Sequence, residues 1–210
     1  SKGHCVEALY TTLEAKGFLK KEITDTLGKY GSILSGHPTI EVTGIEVNTG
    51  ALGHGLSIGV GMALAAKMDK KGYKTFVMMG DGEQGEGSIY EAAMAGHQYK
   101  LDNLVAIIDR NHLQISGNTE DVMAIEDIAA RWTAFGWDVK RMDGDDMEDI
   151  MKTFAAIDYT NHKPHLLISN TTKGKGVSYM ENVAKWHHGM PSEEQYRQAL
   201  SEIDERIKNL

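Results

Sequence analysis

The sequence has little cysteine, little proline, no excess of positive charge and no long apolar run, and each shortage narrows what the chain can be. Cys5 is the only cysteine, which rules out a disulfide framework and fits a reducing, cytoplasmic compartment. No stretch reads as a signal peptide or a membrane span, so neither secretion nor insertion is expected. With 22 Lys and Arg against 30 Asp and Glu, the formal net charge of -8 leaves no basic face for a nucleic acid. Only 3 prolines, no repeat and no long charge run leave nothing to divide 210 residues, and 41% apolar content can fill one large α/β core. Glycine, by contrast, is plentiful. The 23 glycines cluster at 50–61, 80–87 and 174–176, as expected where backbone comes close to a bound molecule.

Four apolar runs have strand length: Thr75 to Met79, Leu104 to Ile108, Trp137 to Met142 and Leu166 to Ser169. Each is expected to be buried. Helical patterns alternate with them. Val6, Leu9, Tyr10 and Leu13 share a face directly after Ser1-Lys2-Gly3-His4, so the chain is expected to begin mid-domain. A second helix, starting in glycine, runs into Ile58, Met62 and Ala65. Met147, Ile150, Met151 and Phe154 follow the acidic start Asp145-Asp146, which favours a helix N-terminus. Ser192 to Gln195 forms a capping-box pattern ahead of a stripe of Tyr196, Leu200, Ile203 and Ile207. Such alternation predicts an α/β fold with a doubly wound parallel sheet, helices on both faces and ligands beyond the carboxyl ends of the strands.

Two of those strand ends carry oxygen ligands. Gly80-Asp81-Gly82 follows the first strand directly, and Asp109-Arg110-Asn111-His112-Leu113 ends the second. A carboxylate, an amide oxygen and backbone carbonyls suit a hard cation such as Mg²⁺. Gly, Asp and Asn are also ordinary turn residues, and for Gly-Asp-Gly alone the turn is the better account. The two strand ends together with the glycine-rich segment upstream favour the site.

Gly80-Asp81-Gly82 followed by Asn111 resembles the signature of thiamine-diphosphate enzymes. Ser1 to His4, Ser35-Gly36-His37-Pro38, Thr49 to Gly55, Met79 to Gly87, Thr172 to Gly176 and Trp186-His187 sharpen the resemblance to transketolase, in that family's order and over essentially the whole chain. The resemblance implies the diphosphate-binding half of the enzyme, a single PP-type domain over residues 1–210 without its opening helices. It also implies a separate partner, a C-terminal subunit carrying the pyrimidine-binding domain. Thiamine diphosphate and Mg²⁺ would be the cofactors, and a two-carbon ketol unit would pass from a ketose phosphate to an aldose.

Carried over by position, Asp81, Asn111 and the carbonyl of Leu113 resemble the metal ligands, and Gly82 lets the diphosphate approach. Gly50, Ala51 and Leu52 resemble the loop beside the aminopyrimidine ring, although Ala51 and His54 depart from the residues more usual there. His4 and His187 belong beside the diphosphate and substrate, and His37 near sugar hydroxyls, where imidazole can donate, accept or move a proton. His188 competes with His187, and the place beside Trp186 favours the latter. Lys173 is a phosphate contact or a solvated loop lysine. Glu86 is a subunit-contact carboxylate or a favourable charge at a helix start. Ser88 is expected to act mainly as an N-cap, and His97, His112, His162 and His165 as ordinary histidines. Trp132, Phe135 and Trp137 are expected in the core. Asp81→Ala is expected to lose metal-dependent cofactor binding with little change in fold. The alternatives are another thiamine-diphosphate reaction, such as deoxyxylulose-phosphate synthesis or a dehydrogenase first component, and a non-catalytic assembly module. Paired half-sites further imply a homo- or hetero-oligomer.

Overall fold

The computed structural model describes residues 1–209. Its helices are α1 (Val6–Ala15), α2 (Lys21–Thr24), α3 (His54–Met68), α4 (Gly87–Gln98), α5 (Thr119–Val122), α6 (Ile128–Ala134), α7 (Met147–Ala155) and α8 (Glu193–Lys208). Its strands are β1 (Thr75–Gly80), β2 (Leu104–Arg110), β3 (Leu113–Gln114), β4 (Gly117–Asn118), β5 (Asp138–Asp143) and β6 (His165–Asn170). Short 3₁₀ turns occupy Gly82–Gly85 and Ala184–His187.

All four expected strands form, paired in parallel in the order β1-β2-β6-β5. The register sets Gly80 against Asp109, Asp109 against Ser169, and Met142 against Ser169. The carboxyl ends are therefore level, and whatever follows each strand emerges at one edge. The small β3–β4 hairpin lies outside this sheet.

On one face, α3, α4 and α6 bury Leu56, Val60, Ile89, Ile128 and Trp132 against Val77, Met79, Leu104 and Ile108. At about 1.5–3 kcal/mol for each fully buried large apolar side chain, this cluster is the main source of stability. Trp132 and Trp137 meet edge to face at 4.7 Å, and the Trp137 indole donates to the Ala93 carbonyl at 2.9 Å, so both are core residues. On the other face α7 packs Ile150 and Phe154 over Val105, Ile107 and Leu167. The sheet is covered on both faces, as its pattern predicts.

The expectation of uniformly buried strands does not hold. Only β2 and β6 are buried nearly throughout. β5 is an edge strand, and β1 alternates, leaving Phe76 and Met78 about half exposed. α7 meets β1 through Phe154, whose ring centroid stands 6.0 Å from that of Phe76, and leaves the rest of that flank open. A groove of about 880 Å³ opens there, with Ile58, Met62, Phe76 and Met78 in its wall. The helix that starts in glycine and runs into Ile58, Met62 and Ala65 forms as α3, and the residues it buries are Leu56, Gly59, Val60, Ala63 and Ala66. Small residues let α3 sit close to the sheet: a Cβ on Gly59 would stand 2.5 Å from the Val77 side chain.

The expected helix boundaries are close. Asp146 caps α7 by accepting from the Glu148 N–H, and Ser192 and Gln195 complete the capping box of α8. Yet Met147 and Met151 point outward, and no residue of α8 is buried, so both apolar stripes exceed what their helices cover within this chain. Val6, Tyr10 and Leu13 of α1 pack with Leu19, Leu34 and Val42 in a separate cluster. Among the described residues no helix is long and apolar enough to cross a membrane.

Candidate functional site

β1 and β2 end side by side, which brings Asp81 and Asn111 to one place. Asp81 is 2% exposed. Its Oδ1 accepts from the Gly82 N–H at 2.8 Å, while Oδ2 accepts from the His112 N–H at 2.7 Å and from Arg110 Nη1 at 3.1 Å. A carboxylate offers about four acceptor positions, so one remains, on Oδ1. The amide oxygen of Asn111, also buried, accepts from the Leu113 N–H at 3.1 Å, which fixes which end of the carboxamide can face a cation. Among the described residues no three His, Cys, Asp or Glu side chains gather as a metal site. What this edge presents is a set of oxygens with one carboxylate, which fits Mg²⁺ better than a transition metal. Beside it, a Cβ on Gly82 would stand 2.8 Å from Gln114 Cβ, and the buried Gln114 Oε1 has no hydrogen-bond partner among the described residues.

The loop at 50–53 is joined to this edge by Glu83. This carboxylate is 3% exposed and accepts from the Gly53 N–H at 2.7 Å, the Gly80 N–H at 3.0 Å and the Ser1 hydroxyl. Gly53 has φ +81°, and a Cβ there would stand 2.6 Å from Ser88 Oγ and 2.7 Å from Glu86 Cβ, so only glycine fits. Ser88 is not the cap expected of it. Glu86 is the N-cap residue of α4, and Ser88 donates instead to the Gly53 carbonyl at 3.0 Å, because that carbonyl lies within its reach. Gly50, Ala51 and Leu52 are thereby held next to the turn at Asp81. The Glu86 side chain caps nothing and is exposed.

The histidines converge from three segments. His4 and His187 have ring centroids 5.5 Å apart, and Lys173 Nζ lies 3.2 Å from His187 Nδ1. His37 lies against both glycine segments: a Cβ on Gly3 would be 3.2 Å, and one on Gly50 3.8 Å, from its ring. His188 only meets the edge of His187, so the geometry distinguishes the two. Lys2 pairs with Asp109. Burial alone would lower the Lys2 ammonium, but the Asp109 charge and hydrogen bond overcome it and hold Lys2 above its ordinary value. Burial and the charges of Lys2 and then His37 and Lys173 lower His4; burial, then Lys2, lower Lys173. Burial followed by the Lys173 charge pushes His187 down to about 4.

His187 is thus neutral near pH 7, able to donate one hydrogen bond and accept another. Its stability linkage has a definite sign. The unfolded chain protonates this residue near 6.5 and the native chain only near 4, so the unfolded state binds more protons between those values. The stability that depends on neutral His187 is present above about 6.5 and is lost as pH falls toward 4. In urea melts from pH 7 to 4.5, His187→Asn should lose less stability on acidification than the unaltered chain; identical slopes would count against this environment.

Asp81, Gly82, Asn111, the 50–52 loop, Lys173 and the three histidines His4, His37 and His187 therefore lie along the one edge, and Leu113 begins the hairpin just beyond it. Sequence reasoning does not single out Lys2, Glu83 or Arg110, which tie the segments together through the bonds just described, nor Gln114, whose side chain lies against Gly82. His165 is a buried histidine whose Nδ1 lies 3.1 Å from Asp138, and the His112 side chain is exposed although its backbone serves Asp81.

The family model described as "Transketolase, thiamine diphosphate binding domain" matches residues 1–203. The chain is 78% identical, over all of its 210 residues and 75% of the relative, to one of the subunits of apulose-4-phosphate transketolase from Phocaeicola vulgatus. It is 39% identical over 205 residues, 97% of the chain and 74% of the relative, to 6-deoxy-6-sulfo-D-fructose transketolase subunit SqwG of a Clostridium species. Among solved structures, transketolase from Campylobacter jejuni superposes with TM-score 0.89 at 33% identity over 96% of the chain, which spans only 33% of that enzyme. The strand-end turns, the level sheet edge and these similarities agree: the chain belongs to the transketolase family and is a thiamine diphosphate binding domain of it.

Proposed function

We propose that the chain, as one PP-type domain over residues 1–210, is the Mg²⁺- and diphosphate-binding component of a two-subunit transketolase that moves a two-carbon ketol unit from a ketose phosphate to an aldose. The observation that carries this reading is the meeting of Lys173, His187 and His4 on the edge that also holds Asp81 and Asn111. Asp81, Asn111 and the carbonyl of Leu113 would hold Mg²⁺. Gly82 would admit the diphosphate, with Asn111, Lys173, His4 and His187 around it, and Gly50, Ala51 and Leu52 would line the aminopyrimidine ring. Bound thiamine diphosphate supplies the electron sink that lets the carbon–carbon bond next to the ketose carbonyl break.

The protein's part is binding, orientation and proton handling. Neutral His187, held against Lys173, would donate a hydrogen bond where an alkoxide develops; His4 stands opposite it to accept or return a proton, and His37 would meet sugar hydroxyls. The name of the 78% identical relative supports apulose-4-phosphate as the ketose. Relatives named as subunits support a C-terminal partner with the pyrimidine-binding domain, and exposed Glu86 would meet a neighbouring protomer in an oligomer of such pairs. A cytoplasmic location fits the lone, free Cys5.

The test is reconstitution with such a C-terminal partner, Mg²⁺ and thiamine diphosphate. Ketol transfer from apulose-4-phosphate to an aldose phosphate is the expected result. Consumption of pyruvate instead would move the assignment to another thiamine-diphosphate reaction, and a stable complex without cofactor binding would leave an assembly module.

A further inference from the structure

Arg110 is the largest charged side chain buried at the site, 1% exposed. Its Nη1 donates to Asp81 Oδ2 at 3.1 Å and to Thr119 Oγ1 at 2.7 Å. Nε and Nη2 donate to Glu126 Oε1 at 3.1 and 3.0 Å, and Nη2 also to Glu120 Oε1 at 3.1 Å. The guanidinium is thus pinned from several sides and cannot swing away, nor can it lose its proton. A divalent cation on Asp81 must share that carboxylate with a fixed positive charge. Two cations on one buried carboxylate repel each other, more strongly than in water because little solvent screens them. Glu120 and Glu126 offset part of the guanidinium charge, but they are 41% and 36% exposed, so their compensation is diluted by solvent.

We propose that Arg110 is a resident counter-cation of the metal site, which keeps a divalent cation weakly held until the negative diphosphate arrives, so that metal and diphosphate bind together. This rests on the metal-site reading of Asp81 given above. It differs from a scaffolding role in the sign of its consequences: a scaffold residue, once removed, weakens the metal, whereas a competing cation, once removed, tightens it.

The experiment measures Mn²⁺ affinity, from the electron paramagnetic resonance of free Mn²⁺, in the complex with the pyrimidine-domain partner, with and without thiamine diphosphate. Arg110→Met should tighten Mn²⁺ alone by about tenfold or more, with a smaller gain when thiamine diphosphate is present. Arg110→Lys keeps the charge and should stay within about threefold of the unaltered complex. Glu126→Gln, at a position 36% exposed, should weaken Mn²⁺ alone, and Arg110→Gln, which keeps hydrogen-bonding capacity without the charge and should therefore also tighten Mn²⁺, decides the matter if Arg110→Met does not fold. Arg110→Met that weakens Mn²⁺ or leaves it unchanged, or Glu126→Gln without effect, would overturn the proposal while Mn²⁺ binding by the unaltered complex still upheld the site. If the unaltered complex binds no Mn²⁺ even with thiamine diphosphate, the metal site itself is refuted and this proposal with it.

Discussion

Asp81→Ala should abolish Mg²⁺-dependent binding of thiamine diphosphate, and it should also cost about 2–4 kcal/mol of folding stability. The sequence alone suggests the first effect without the second, since a strand-end carboxylate usually faces solvent. In the structure Asp81 is buried, and its removal leaves the Gly82 and His112 N–H groups without acceptors and takes one acid from Arg110. Glu120, Glu126 and Thr119 still hold the guanidinium, which keeps the loss below that of stripping a buried charge of every partner. Asp81→Asn preserves the volume and one oxygen, so it should lose less stability while still losing the cation. Urea denaturation and titration calorimetry on both variants separate the two effects. Full metal-dependent binding by Asp81→Asn would remove Asp81 from the metal site.

Glu83→Ala should be the most damaging single change to the frame of the site, at about 3–5 kcal/mol. Its carboxylate accepts from Gly80, Gly53 and Ser1, three segments far apart in sequence, and alanine leaves the buried Gly53 N–H and the partly buried Gly80 N–H and Ser1 hydroxyl without this acceptor. Because the Gly53 bond positions the 50–53 loop, cofactor affinity of the folded fraction should also fall, by about tenfold or more, equal to the loss of one charged hydrogen bond. Glu83→Gln retains the shape and one good acceptor and should fall between the two. A Glu83→Ala chain that melts like the unaltered one would show that these bonds are not what joins the loop to the sheet edge.

The difference between Asp81 and Glu83 shows what the sequence reveals. Asp81 sits in a turn of recognisable composition straight after an apolar run, so its place at the sheet edge is legible. Glu83 sits two residues on, in a short 3₁₀ turn with no periodicity, and nothing local tells that its partners come from residues 1 and 53. Arg110 is hidden for a related reason: it ends a strand, where a charged residue is normally read as solvated, and its acids arrive from the segment before α6. The four strands are legible because each is a compact apolar run; which of them are edges is not, since Phe76 and Met78 read as core residues until the reach of α7 is known. The buried side of α3 is hard to read because Gly59, Ala63 and Ala66 carry little hydrophobic signal although they are the residues that allow close packing.

His187 and His188 pose the same problem at finer scale. Adjacent histidines are indistinguishable by composition, and it is the 3.2 Å approach of Lys173 that sets one of them apart. That contact also contributes to the low affinity of His187 for a proton, so the pH dependence of stability and the proposed catalytic role share a cause.

Calorimetric titration of thiamine diphosphate with Mg²⁺ tests most directly whether this chain contributes one half of a cofactor site that a second polypeptide completes. The titration is made first into the chain alone and then into its mixture with a pyrimidine-domain partner. Mg²⁺-dependent binding in the mixture, with little or none by the chain alone, is the predicted result. A stable complex that binds no thiamine diphosphate would contradict it.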